Sequence, residues 1–370
     1  MPTSSPHRDP AAPGASASGT PVVVSIVIVN WNSCRYVREC LAALRAHCRC
    51  ANEVIVVDSG SFDGCDAMLA REFPEARYVQ SAANIGFAAA NNLGARAATG
   101  ALLLFLNPDT EVVGAAVERL VQVLAEHPAA GLAGARLLNT DGSLQTSCIQ
   151  SFPTVLNQLL DAEWLRRRFP RSRLWGVAPL HDPSSRPAAV EVVSGACILI
   201  RRAVFEVVGG FDQRFFMYSE DLDLCHRTRR AGWQCLYVPD AVIVHHGGGS
   251  SSAARSLFSV VMMRESVCRL LRFHRGAGVA LAYRLAMGAA AIVRLPLTGI
   301  VAVVRRWRGR PNAAAPVRKW FAILRWSLGL EAWAAAKSGP RGDEPVAVTG
   351  GERSGLACTS ASEVKKSCVA

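Results

Sequence analysis

The strongest constraint on this chain is an alternation across residues 22–126. Short, mostly apolar runs alternate with segments of helical length, and the runs end in polar residues. Residues 22–29 (VVVSIVIV) read as a strand buried on both faces. Ser33 then offers an N-cap for a helix to about residue 45. Further strands are expected at 53–57, 77–80 and 101–106, and helices at 63–72, 86–98 and 113–126. Strands joined through helices by short connections fold as an α/β, doubly wound, mostly parallel sheet with helices on both faces. Ligands of such sheets bind beyond the carboxyl ends of the strands. Asn30 and Asn32, Asp58, and Asn107 with Asp109 stand at those ends.

The common glycine-rich nucleotide devices are missing from these positions. The first strand runs into Asn30-Trp31-Asn32-Ser33, not GxGxxG, and the chain contains no GxxxxGK[ST]. After residue 140 the pattern loosens. A strand is expected at 191–200, bearing Ser194-Gly195-Ala196. Tyr218-Ser219-Glu220-Asp221-Leu222-Asp223 opens a helix to Arg230, with Ser219 as N-cap and carboxylates in the first turn, where the helix dipole favours them. Residues 236–244 read as extended and end in His245-His246.

Three groups could carry chemistry, each with a structural alternative. Asp58 could accept hydrogen bonds from a nucleobase or ribose, or it could cap the DSGS turn. Asp109 faces the expected crevice and could hold a divalent cation with His245; otherwise it opens a helix-initiating turn and His245 is structural. Glu220, Asp221 and Asp223 could supply a general base. Their alternative is dipole complementation, worth about 0.3–1 kcal/mol.

In order, the informative stretches are VSIVIVNWN (24–32), VDSGS (57–61) with Asp63-Gly64, NIGF (84–87) with NNLG (91–94), and LNPD (106–109). Then come SGA (194–196), GFD (210–212) with Phe215-Phe216, EDLDL (220–224), and His245 with Gly247 to Ser250. Together they resemble the inverting family 2 glycosyltransferases of GT-A fold, in particular the rhamnosyltransferase-like branch of bacterial cell-surface glycan synthesis. The resemblance implies a nucleotide-sugar site. Asp58 would bind the donor base, and Asn84, Gly86 and Asn91 would shape the donor pocket, with Asn30, Asn32 and Asn107 beside them. Asn107-Pro108-Asp109 stands where the family carries its DxD motif and keeps one carboxylate. Asp109 and His245 would ligate Mg²⁺ or Mn²⁺. Asp221 would deprotonate the acceptor hydroxyl, with Glu220 beside it. The implied reaction moves a sugar, rhamnose first, from a nucleotide-diphosphate donor to a glycan or lipid-linked saccharide. Uridine- or guanosine-diphosphate donors, and a catalytically silent sugar-nucleotide-binding protein, are the alternatives. Nucleotidyl transfer would want a basic pyrophosphate loop near residue 31, which Asn30-Trp31-Asn32 does not offer.

Charge divides the chain differently. The whole carries 41 Lys+Arg against 29 Asp+Glu, a net of +12. Residues 251–330 hold 14 basic residues and one acid, Glu265, for +13, whereas residues 1–250 hold 22 basic and 23 acidic residues, for −1. A basic segment invites a polyanion. No nucleic-acid module is recognisable there, so nucleic acid is not the expected partner. Arginines interrupt apolar stretches too often for an expected membrane span, since residues 285–293 are the longest run without charge or Pro. Amphipathic helices on an anionic membrane surface are expected instead, with Arg toward headgroups and Trp307, Trp320 and Trp326 at the interface. The expected organisation is a disordered 1–20, a catalytic domain over 21–250, a membrane-associating region over 251–337 and a disordered tail over 338–370. The first twenty residues have no apolar core, so no signal peptide is expected. The expected location is cytoplasmic, peripheral on the inner membrane. The 12 cysteines form no CxxC pair and are expected as free thiols.

Overall fold

A computed structural model describes residues 23–160, 163–182, 184–247, 257–309, 313–337 and 348–349. The expectations for residues 1–20, for Gly248 to Ser250 and for the tail lie outside these, apart from Val348–Thr349, which pairs with the edge of the sheet.

Four parallel strands form the first half of the sheet: β1 (Val24–Asn30), β2 (Asn52–Ser59), β3 (Arg77–Ser81) and β4 (Leu102–Leu106), in the order β3-β2-β1-β4. Every residue of β1 and β4 is buried, as continuous apolar runs demand. Helices α1 (Cys34–His47), α2 (Cys65–Glu72), α3 (Phe87–Ala97) and α4 (Ala116–Glu126) provide the connections. The expected elements are all present within a few residues. Two details differ. Ser33 and Ser219 sit at N-cap positions, but neither side chain caps its helix. The Ser33 hydroxyl is taken by Asn30 Oδ1 at 2.9 Å instead.

The second half of the sheet is mixed, and sequence patterning reads it less well. Between Asp109 and α4 lies a short strand, β5 (Thr110–Val113), where a helix start was expected. β6 (Ala130–Leu138) escapes periodicity because its AGLAGARLL sequence is too small-residue-rich to read as a strand. β7 (Ile149–Gln150), helices α5 (Val155–Leu159) and α6 (Glu163–Arg168), and β8 (Ala188–Val190) follow. The expected strand at 191–200 is two strands, β9 (Val192–Val193) and β10 (Cys197–Arg201), broken at Ser194-Gly195-Ala196. After α7 (Arg202–Val207) and α8 (Glu220–Arg230) comes the long β11 (Gln234–His245). β10 runs antiparallel between β4 and β6, β11 lies parallel to β6, and β5 closes antiparallel on β11. The register sets His245 opposite Thr110, next to Asp109.

Among the described residues four helices follow: α9 (Leu257–Arg275), α10 (Ala277–Trp307), α11 (Ala315–Ser327) and α12 (Ala332–Ala336). They build a second apolar core around Leu271, Tyr283, Met287, Ile323 and Trp326, joined by Phe216 from the loop before α8. Two expectations for this segment are corrected here. Trp326 is fully buried, with its indole N–H on Glu265 at 2.8 Å, so it is a core residue and not an interfacial one. Arg284 and Arg294 turn inward. Arg284 lies over the Trp326 ring and donates to its carbonyl, and Arg294 lies over Trp320 and donates to the Leu159 carbonyl. Trp307 alone of the three tryptophans stands out in solvent, 91% exposed. The ten described cysteines are all free.

Candidate active site

A cavity of about 920 Å³ opens at the carboxyl ends of the strands. Its wall includes Trp31, Ser59, Asn84 and Gly86 at one part, Asn107, Asp109 and His245 at another, and Gly195, Glu220 and Asp221 at a third. α9 contributes Phe258, Met263 and Val267. The body and the helical segment therefore share one cavity.

Backbone stitching explains why these pieces meet. The Asn107 N–H donates to the Ala196 carbonyl at 3.0 Å, tying the NPD turn to the SGA turn. The His246 N–H donates to the Asp109 carbonyl at 2.9 Å, tying the end of β11 to the same turn. The Phe87 N–H donates to the Phe216 carbonyl at 2.8 Å, tying the NIGF turn to the loop that leads into α8. Gly86 makes that last approach possible. Its φ is +83°, and a Cβ there would stand 2.5 Å from the Phe216 oxygen.

Asp109 and His245 come together as the motifs imply. His245 Nε2 lies 3.4 Å from Asp109 Oδ1, and both side chains are largely buried. The Gln145 amide settles the histidine tautomer. Its nitrogen donates to the His245 carbonyl at 2.7 Å, so its oxygen faces His245 Nδ1 at 3.0 Å and must accept from it. In the neutral ring that leaves the lone pair on Nε2, which faces Asp109. Asn107 Oδ1 is buried nearby with no hydrogen-bond partner among the described residues, while its amide nitrogen lies 3.4 Å from His245 Nε2. An imidazole lone pair, a carboxylate and an orphaned amide oxygen form a donor set that suits a hard divalent cation. Gln145 is a residue that sequence reasoning missed. Nothing in its neighbourhood marks it, because only β11 brings His245 to it.

Asp221 opens on the cavity from the first turn of α8. Its Oδ2 accepts from the Gly195 N–H at 2.8 Å and its Oδ1 from the Leu222 N–H at 2.9 Å. Burial pushes its carboxyl above the ordinary aspartate value, and these two donors pull back. Glu220 is pushed up much further, first by burial and then by the Asp221 charge, and its Oε2 has no partner among the described residues. Of the two, Asp221 gives up its proton more readily. Gly195 gives the carboxylate a close seat, since a Cβ there would lie a tight 3.2 Å from Asp221 Oδ2. Tyr218 and Ser219 both have left-handed φ, 69° and 68°, a strained turn that fixes how α8 begins.

Asp223 faces away from this pair. His274 Nε2 on α9 lies 2.7 Å from its Oδ1, and Arg227 pairs with its Oδ2. Burial opposes its charge, but His274 and Arg227 outweigh that and hold its carboxyl below the usual range. The helix that carries Asp221 is thus pinned to the C-terminal segment. His226 clusters with the rings of Phe152 and His274 in tilted contacts, and burial and the His274 charge push its pKa down to about 4.

The remaining expected donor-binding residues are placed unevenly. Asn84 lies on the wall, accepting from the Gly86 N–H at 3.0 Å. Asp58 is fully buried, accepting from Asn30 at 2.6 Å, from Gln80 at 2.9 Å and from the Ser61 N–H and hydroxyl. Its neighbour Ser59 reaches the cavity; Asp58 does not line it. Asn30 is buried too and braces Asp58 and Asp63. Asn32 is exposed in a left-handed turn, and Asn91 is buried in α3, bonded to the Phe87 carbonyl. Neither lines the cavity, whereas Trp31 does.

The family model for glycosyl transferase family 2 matches residues 25–209, and the one for glycosyl transferase family group 2 matches residues 144–333. An N-acetylglucosaminyl-diphospho-decaprenol L-rhamnosyltransferase of Mycobacterium tuberculosis is 32% identical over 237 residues, covering 60% of this chain and 76% of the relative. A low-salt glycan biosynthesis hexosyltransferase of Haloferax volcanii is 27% identical over 211 residues, covering 56% and 62%. Among solved structures, a mannosyltransferase of Pyrobaculum calidifontis, in complex with GDP-mannose and Mn²⁺, aligns with a TM-score of 0.52 at 18% identity, covering 84% of this chain and 87% of that one. That likeness speaks for the fold, the GT-A arrangement that the motifs implied.

Proposed function

This chain belongs to glycosyl transferase family 2, and we propose from that premise that it is an inverting, metal-dependent rhamnosyltransferase acting on a lipid-linked saccharide. The observation that carries the proposal is the single cavity that holds both Asp109 with His245 and Asp221 with Glu220.

Asp109 Oδ1, His245 Nε2 and Asn107 Oδ1 would hold Mg²⁺ or Mn²⁺. Such an ion, when bound, neutralises charge growing on a diphosphate leaving group. Gln145 keeps His245 in the tautomer that this needs. Asp221 takes the proton of the acceptor hydroxyl as the new bond forms, because a neutral hydroxyl is a weak nucleophile. Its two backbone N–H donors fix the carboxylate in place. Glu220, kept high in pKa, stays protonated longer and spares Asp221 a second negative neighbour. Direct displacement needs one base and no covalent intermediate, and it inverts the anomeric centre.

Asn84, Gly86, Trp31 and Ser59 would border the donor. Asn30, Asp58 and Asn91 would act on it from behind the wall, holding the turns that do touch it. The rhamnose donor and the lipid-diphosphate acceptor are supported by the name of the mycobacterial relative. A deoxythymidine-diphosphate carrier is the first choice, with uridine- and guanosine-diphosphate sugars next. Residues 21–250 would be the catalytic unit, and 251–337 would place it peripherally on the cytoplasmic face of the inner membrane. There, soluble donor and lipid-linked acceptor meet.

A donor screen by thermal shift tests the reading, because a ligand that binds the folded state alone raises apparent stability. A thymidine-diphosphate sugar should raise the melting temperature with Mn²⁺ or Mg²⁺ present. That gain should be lost in His245→Ala. A shift that ignores metal, or that His245→Ala keeps, would remove the metal assignment. NMR of the product should show the inverted anomer; retention would remove the single-displacement mechanism.

A further inference from the structure

We infer that α10 lies in the plane of an anionic membrane, with one charge-free face in the hydrocarbon and its arginines on the opposite side. The inference rests on the membrane location proposed above and specifies the surface that achieves it.

α10 is one uninterrupted helix of 31 residues that passes through Pro296. The Thr298 hydroxyl donates to the Arg294 and Leu295 carbonyls, next to the turn where proline removes a donor. Over its first half one side packs on the molecule through Ala280, Tyr283, Met287, Gly288 and Ala291. Gly288 lets α11 approach, since a Cβ would meet the Ser327 hydroxyl at 2.7 Å. The other side is bare. Leu281, Leu285, Ile292, Leu297, Ile300 and Trp307 are all more than half exposed. At about 100° per residue these six fall within an arc of roughly 160°, along about 39 Å of helix. A stripe of this length is larger than soluble proteins ordinarily leave open.

No charge falls in that arc. The four arginines of α10, Arg284, Arg294, Arg305 and Arg306, all project from the rest of the circumference. Arg284 and Arg294 are bound inward to carbonyls and to tryptophan faces. Arg305, Arg306 and Arg308 are exposed and cluster where the stripe ends at Trp307.

By length and composition alone the helix could cross a bilayer. The angular distribution argues otherwise. A spanning helix is apolar all round, and crossing would put Arg284 and Arg294 in hydrocarbon. It would also pull α10 off α9 and α11. An amphipathic helix with a broad apolar face and a basic border lies at the interface. A second copy of the chain is a poorer occupant. It would offer the exposed Arg305, Arg306 and Arg308 no counter-charge from the same segment, since Glu265, the sole acid of residues 251–330, is already held by Trp326. Anionic headgroups complement the same cluster.

The test is flotation of the full chain with vesicles of phosphatidylcholine and phosphatidylglycerol. Wild type should float. Leu297→Asp with Ile300→Asp should cut the bound fraction more than tenfold, with an unchanged melting curve and an unchanged thermal shift by donor. Arg305→Glu with Arg306→Glu should weaken binding most at low salt. If wild type floats and the stripe variant floats equally well, the stripe is wrong while the membrane location survives. If wild type does not float, both fail. Binding that resists an alkaline carbonate wash would replace the in-plane helix by a spanning one. A wild-type dimer that the stripe variant dissociates would give the stripe to a second copy.

Discussion

The α/β body and the helical segment solve opposite problems with the same residue types. In the body, apolar side chains are buried and the polar residues gather at strand ends, on or just behind the cavity wall. In α10 the arginines of the central turns point inward, and Leu, Ile and Val face out along one side. Net charge located the basic segment at residues 251–330 but said nothing about which way its arginines face. Part of that +13 is spent on internal caps and stacking. Arg264, for example, is buried with its guanidinium near Tyr283 and Gln158, and Arg269 donates to the carbonyls of Arg214 and Ala335. A basic segment is therefore not automatically a basic surface.

The contrast can be broken at several points. The largest effect belongs to the body: Asp221→Asn should lower turnover by about 10²–10⁴-fold while leaving the donor-induced thermal shift intact. Near-wild-type turnover with identified substrates would mean another base. In the helical segment the largest effect should be on stability. Trp326→Ala should cost about 3–5 kcal/mol, whereas Trp307→Ala should stay within about 0.5 kcal/mol, by denaturant unfolding. Equal costs would erase the distinction between a core and a surface tryptophan. Arg284→Ala should lose about 1–3 kcal/mol, because two carbonyls and a ring lose a charged partner. A neutral substitution would return Arg284 to the solvent-facing reading.

The smallest effect tests the seam between the two regions. His226 has a folded-state pKa of about 4 against an ordinary 6.5, so it is neutral in the fold and takes up a proton on unfolding. Between those values the unfolded chain binds more protons, and stability falls as the pH falls from about 6.5 toward 4. Allowing for its partial exposure, the loss is about 1–2 kcal/mol. His226→Phe should flatten that part of the stability–pH curve. An unchanged slope would place the titration elsewhere. Asp223 acts lower on the scale. Its depressed pKa contributes stability above the ordinary aspartate range that is lost as the pH falls through the folded value.

Much of the candidate site was legible in the sequence. Asp109, His245, Asp221 and Glu220 are short, ordered motifs at element ends, and the fold brings all four to one cavity. Asp58 was legible as a strand-end acid, but its burial behind Asn30 and Gln80 was not, since three separate strand ends converge there. Gln145 and His274 were invisible, and the SGA motif was legible without the partner that its Gly195 N–H finds. Each of the three acts on a residue 26 to 100 positions away.

Sequence alone determined the parallel half of the sheet, because short apolar runs that end in polar residues and alternate with helical segments fit little else. It also determined the order in which the motifs reach the crevice. Tertiary structure decided the antiparallel insertion of β10, the tautomer of His245, and the direction in which each side of α10 faces. Those depend on contacts between residues far apart in the chain, and a helix of mixed Leu and Arg shows its two faces only once its neighbours have covered one of them.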